Sequence, residues 1–299
     1  MTAALFVEQL FNGVQFGLML FLMAVGVTLV FGIMRVINLA HGSLFMIGGY
    51  MLVATYQATG SYWLAVPLAG AGVVIVGAIL EISVLRPLYS RGHLDQVLAT
   101  FGLTMFFNEA VVVIWGRVPL DLNIPPGLDG HIQIFPGVMY PAYRLAITGA
   151  GLVCGALLYF IIVRTRLGAL IRAGSDKREI VEVLGINIGL LYTAVFALGA
   201  AFAGFAGMMT GPLLSVESGM GDPILILTLV AVVIGGTGSI RGALVGSLIL
   251  GVFDTFTRVM LPQLVGLSAG SALVGMADYL LMAVVLIFSR GGLFPAQRS

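Results

Sequence analysis

Charge is what this chain has least of. Asp, Glu, Lys and Arg make up 9% of its 299 residues, where a soluble domain carries about 25%. Lysine occurs once, at Lys177, and no GxxxxGK[ST] stretch surrounds it, so the chain has no phosphate-cradling loop for ATP. Cysteine also occurs once, at Cys154 in an apolar run, which excludes a disulfide framework and a cysteine-rich metal site. The histidines His41, His93 and His131 share no helical spacing, so no histidine metal site is expected. A serine nucleophile needs a base within reach and an oxyanion site. The residues around His41 and Ser43 do not form GxSxG, so no catalytic residue is expected. The net charge of +1 says nothing about nucleic acid, and the sequence has no basic tract, so no nucleic-acid partner is expected. The opening MTAALFVEQL has no basic region ahead of its first apolar run, so the first helix is expected to be retained rather than cleaved.

What is there is apolar surface. Sixty per cent of the residues are hydrophobic and the mean hydropathy is +1.10. No core of this size hides so much, so lipid must cover it. The expected fold is an all-α, polytopic membrane helix bundle over 1–299, as one transmembrane domain with interrupted helices. A span needs roughly 20 apolar residues. Apolar runs predict segments near 10–34, 43–58, 62–84, 97–115, 142–163, 190–212, 224–238, 243–260 and 272–289, eight or nine spans in all. The second and seventh are short enough to be half-spans. Cytoplasmic loops collect Lys and Arg. With the N-terminus outside, eleven basic residues (Arg35, Arg86, Arg91, Arg164, Arg166, Arg172, Lys177, Arg178, Arg241, Arg290, Arg298) fall inside and three (Arg117, Arg144, Arg258) fall outside or near that face. The expected orientation is N-terminus outside, C-terminus inside. Prolines bar a long helix from 116–141, where HIQIF is either a short strand or an interfacial piece.

Polar residues at membrane depth need partners and point to function. Leu29–Tyr50 carries Arg35, Asn38 and His41 within seven residues, bracketed by Gly32 and Gly42. It is either an ordinary turn or a break that lines a path. A second glycine-rich interruption spans Gly235–Gly242. Paired broken helices often build transporter sites, because their ends offer free backbone groups. The candidate path residues are therefore Asn38, His41, Ser43, Thr237 and Ser239. Among intramembrane ions, Asp254 and Arg258 stand four apart and are expected to pair. Glu109 and Asp278 show no partner in sequence, and Glu81 lies near a helix end. Gly199, Ala203, Gly207 and Gly211 form one small-residue stripe, Gly13 with Gly17 another, and Ala243, Ser247 and Gly251 a third, each suited to close helix packing.

Between 164 and 189 lies the one substantial inside loop. Asp176 can cap a short helix, with Glu179 three residues on. Ile180, Val183 and Leu184 share one face, and Gly185 is placed to end the helix at positive φ. That apolar stripe must be covered by headgroups or by another protein.

Three stretches resemble the branched-chain amino-acid ABC-transporter permeases, the smaller of the two permease subunits in particular. They are FGIMRVINLAHGSLFMIGGY, GGTGSIRGALVGSLILG (Gly235–Gly251) and RAGSDKREIVEVLGIN (Arg172–Asn187), in the family's order. The loop lacks the EAA tripeptide of many importer permeases, while Gly185–Ile186 fits the branched-chain variant. The resemblance implies a permease subunit of an ATP-driven importer in the cytoplasmic (inner) membrane. It implies a second homologous permease, two cytoplasmic ATPases that bind ATP and Mg, and an external solute-binding protein. No cofactor is expected in this chain. The 164–189 loop becomes the ATPase-coupling element, with Asp176, Glu179, Ile180, Val183, Leu184 and Gly185 at its centre. The implied solute is a branched-chain or related amino acid, with urea, amides and organic acids also open. A secondary transporter or channel without ATPases is the alternative.

Overall fold

The computed structural model describes residues 3–34, 36, 38–176, 185–289 and 291–294. Nearly all of it is helix. In chain order these are α1 (Ala3–Met34), α2 (His41–Thr59), α3 (Tyr62–Leu80), a π turn at Glu81–Leu85, α4 (Arg86–Leu88) and α5 (His93–Trp115). After a hairpin come α6 (Ala142–Arg164), α7 (Arg166–Asp176), α8 (Ile188–Thr210), α9 (Gly221–Gly235), α10 (Ile240–Val265) and α11 (Leu267–Phe288). Every expected apolar segment is a helix. Among the described residues, seven stretches are long and apolar enough to cross a membrane: α1, α3 through α4, α5, α6, α8, α10 and α11. The two short segments are α2, whose polar residues dilute its apolar run, and the 15-residue α9. The chain is thus a multi-pass, nearly all-α membrane protein.

HIQIF is a strand. β1 (His131–Phe135) pairs antiparallel with β2 (Val138–Pro141), and Gly137 at φ +83 makes the turn.

The chain divides into two compact units. One comprises 1–24, 124–153 and 226–299. Here the stripes meet, with Gly13 against Val252 and Gly17 against Leu248, while Gly251 packs on the Gly17 backbone. A side chain at any of these positions would hold the helices apart. Tyr140 donates to Asn12 Oδ1 at 2.9 Å and Arg144 donates to the same oxygen at 2.8 Å, which ties the hairpin to α1. Helices α10 and α11 turn at Gly266, φ +91. The segment after α11 returns to α9: Leu293 N donates to Ile234 O at 2.9 Å and Phe294 N to Gly235 O at 2.8 Å. Those bonds satisfy carbonyls that the end of α9 would otherwise leave open.

The other unit comprises 25–123 and 154–225. Its core is α2, α3 and α8. Gly48 lies on Gly204, Gly207 on the Phe45 carbonyl, Gly77 on Ala200, and Gly204 on Val73. Backbone-to-backbone contact replaces the hydrophobic effect where helices sit in lipid, because only close packing distinguishes protein from tails there. Ala200, Ala203 and Ala206 are fully buried between these contacts.

Candidate functional site

The first break is held by its own residues. Asn38 Oδ1 accepts from Ala40 N at 3.0 Å, the side-chain turn that Asn favours. Leu39 N donates to Thr100 Oγ1 of α5 at 3.2 Å. Helix α2 then starts at His41, which is 1% exposed. The His41 ring fills the space where a Cβ on Gly26 would stand, and Gly26 lies 3.1 Å from the ideal Cβ of Gly199. The glycines of α1 and α8 thus open a slot for this imidazole. Ser43 is also 1% exposed, and its Oγ has no hydrogen-bond partner among the described residues. The Nδ2 of Asn38 is unpaired in the same sense. Arg35, the cation expected beside them, lies outside the described residues.

A second break in this unit was not anticipated. Between α8 and α9 the chain runs without helix over 215–217 and joins its neighbours by backbone. Leu120 N donates to Val216 O and Val216 N to Leu120 O, both at 2.9 Å. Ser215 Oγ donates to Asp121 Oδ1 at 2.8 Å and Ser218 Oγ to the Asn108 carbonyl at 2.7 Å. Val216 is fully buried on Gly49, and Gly219 N points at Met46 Sδ, 3.3 Å away. The segment thus runs back along α2. Helix α9 starts at Gly221 in backbone contact with Gly42, one residue into α2. Two helix N-termini therefore meet at a glycine pair, each with backbone N–H groups that no helical carbonyl takes. Asn108, from the middle of α5, donates to Asp222 in the first turn of α9 at 3.1 Å. Glu109, its neighbour, is exposed. The available signal was Gly221–Asp222–Pro223, an acid and a proline at a helix start. The apolar runs on either side masked it, because they read as two spans and a plain connection.

Thr237 and Ser239 lie in the other unit. Thr237 is exposed, and Ser239 caps α10 by accepting from Gly242 N at 3.0 Å. Gly235 and Gly242 pack backbone to backbone, and Gly236 has φ +111. The expected ion pair forms: Arg258 Nε donates to Asp254 Oδ2 at 2.7 Å. Asp254 and Asp278 are each 2% exposed, and Asp278 interacts with this pair, a neighbour that sequence spacing did not reveal.

Of the inside loop, Glu179, Ile180, Val183 and Leu184 lie outside the described residues. Asp176 is the last residue of α7, so the chain ahead of the expected cap is itself helical. Gly185 has φ +78, the left-handed conformation expected of it. Helix α7 buries Gly168, Ile171 and Gly174, spaced three apart. Gly174 packs on Leu191 and Ile33.

Residues 9–289 match the family described as "Branched-chain amino acid transport system / permease component". The chain belongs to this family. It is 30% identical over 271 residues to the high-affinity branched-chain amino acid transport system permease protein LivH of Escherichia coli strain K12, covering 86% of this chain and 87% of LivH. It is 31% identical over 265 residues to BraD of Pseudomonas aeruginosa, also named a high-affinity branched-chain amino acid transport system permease protein, covering 84% of this chain and 86% of BraD. The ribose import permease protein RbsC of Escherichia coli strain K12 is 26% identical over 291 residues, covering 94% of this chain and 85% of RbsC. No solved structure matches. The chain is a membrane permease subunit of an importer, and its role is transport rather than catalysis.

Proposed function

We propose that this permease works in an ATP-driven importer of branched-chain or related amino acids, in the inner membrane with its N-terminus outside and C-terminus inside. Its partners are a second homologous permease, two cytoplasmic ATPases that carry ATP and Mg, and an external solute-binding protein. Energy comes from those ATPases, because this sequence has no phosphate loop. They dock on the 164–189 loop, through Asp176, Glu179, Ile180, Val183, Leu184 and Gly185. Solute passes beside Asn38, His41 and Ser43, with Thr237 and Ser239 contributing from the second glycine-rich interruption.

The observation that carries the path is the pair of helix starts at Gly42 and Gly221, next to the buried Ser43 hydroxyl, which has no partner among the described residues. Helix N-termini favour negative charge, which suits the carboxylate of an amino acid. Names of relatives support the solute class: LivH and BraD are branched-chain amino acid permeases, whereas the more distant RbsC imports ribose. The test is affinity purification of the tagged chain from its own membranes in mild detergent. Two cytoplasmic ATPases are expected to come with it. A chain that purifies without them and transports alone is a secondary carrier or channel.

A further inference from the structure

Among the described residues, the most completely paired buried ion has no place in the path. Glu81 is fully buried, at the first position of the π turn that follows α3. Residues five apart on a regular helix point ~140° away from each other. The π turn, whose Arg86 N–H bonds to the Glu81 carbonyl, brings these two side chains to one face. Arg86 then donates to Glu81 through Nη2 at 2.9 Å and Nε at 3.3 Å. Tyr89 OH donates to Oε1 at 2.9 Å and Thr193 Oγ1 to Oε2 at 2.6 Å. Four donors fill a carboxylate's acceptor sites.

The partners lie at the ends of separate elements. Arg86 Nη2 also reaches Thr193 Oγ1 at 2.6 Å and the Gly189 carbonyl at 3.2 Å, both in the first two turns of α8. Asn187 caps that helix by accepting from Leu190 N at 3.1 Å. Tyr89 stands edge-on to Tyr192 with ring centroids 5.2 Å apart, and its hydroxyl touches Met34 Sδ at the end of α1. Burial, and then the adjacent Glu81 charge, hold the Tyr89 phenol well above its ordinary pKa, so it remains a donor. The turns Ile188–Thr193 begin at the end of the inside loop. Leu191 in those turns also receives Gly174 of α7, the helix that forms the first part of the loop.

We propose that Glu81, Arg86 and Thr193 form a latch that couples the inside loop to the membrane helices, so that movement imposed on the loop is passed to α3 and α1 rather than absorbed at the start of α8. This rests on the reading of 164–189 as the ATPase contact. These are positioning residues, and they touch neither solute nor nucleotide. A buried network with every member paired has one favoured arrangement and resists partial rupture. That suits a joint that must transmit rather than flex. Arg86 is 41% exposed at its side chain while Glu81 is 0%, so the carboxylate is enclosed and the guanidinium is its open side.

The test is the number of leucine molecules taken up per ATP hydrolysed. It uses vesicles holding the complete complex, with the leucine-loaded binding protein supplied outside. Thr193→Val keeps the shape and removes the hydroxyl, whereas Thr193→Ser keeps the hydroxyl. Thr193→Val is expected to assemble with the ATPases in wild-type amount and to hydrolyse ATP within about twofold of wild type. Its uptake per ATP should fall at least fivefold, and Thr193→Ser should restore most of that loss. Arg86→Gln should behave as Thr193→Val does. An unchanged ratio in both variants overturns the latch, as does a fall in uptake that only tracks loss of assembled complex. Failure of the wild-type chain to bind ATPases at all would overturn the coupling-loop reading and the latch with it. That outcome shows in the unaltered protein, so the two failures are distinct.

Discussion

At position 41 an imidazole occupies space that a glycine on the neighbouring helix leaves open. His41→Ala and Asn38→Ala remove polar groups from the start of α2 without adding bulk. Uptake is expected to fall in both, with the assembled complex present at its usual level. Equal uptake at equal membrane amount removes these residues from the path, and loss of the complex makes them packing residues. Gly207 offers the opposite experiment. A Cβ there would run into the Phe45 carbonyl, backbone that cannot step aside. Gly207→Val should destabilise the α2–α8 contact by about 1–3 kcal/mol or more. A thermal shift of the purified complex reads this directly, and an unaltered melting temperature contradicts the close approach.

Gly185 has φ +78, and no described residue lies within 4 Å of where a Cβ would go. Conformation is what a substitution there tests. Gly185→Val should be costly because a β-branched residue resists positive φ, and Gly185→Asn should be spared because Asn enters this region. ATPase binding measured in the two variants is expected to separate them, and equal binding argues against a left-handed end to this loop. The helices were legible because lipid forces long apolar runs, and every such run became one. The Asp254–Arg258 pair was legible because i,i+4 spacing is local. Three features were not. The π turn that joins Glu81 to Arg86 breaks the helical spacing on which sequence reading relies. Asn108 meets Asp222 across 114 residues, a separation no periodicity encodes. The descent of 211–220 along α2 looked like a connection, because backbone pairing of Leu120 with Val216 leaves no mark in side-chain pattern. That Ser239 caps α10 was also not read from the sequence.

For the whole molecule, orientation and energy source are the points to check. A cysteine introduced at Gly127 should label from outside intact cells, and one at Ser175 only after permeabilisation, once Cys154 is replaced. The reverse pattern would put the 164–189 loop on the side away from the ATPases. The most direct measurement is leucine uptake into vesicles reconstituted with this chain and the partners proposed for it, a second permease, two ATPases and a binding protein. Uptake is expected only when ATP is supplied on the ATPase side and the binding protein on the other. Uptake by this chain alone, or uptake driven by an ion gradient without ATP, would contradict its assignment as a subunit of an ATP-driven importer.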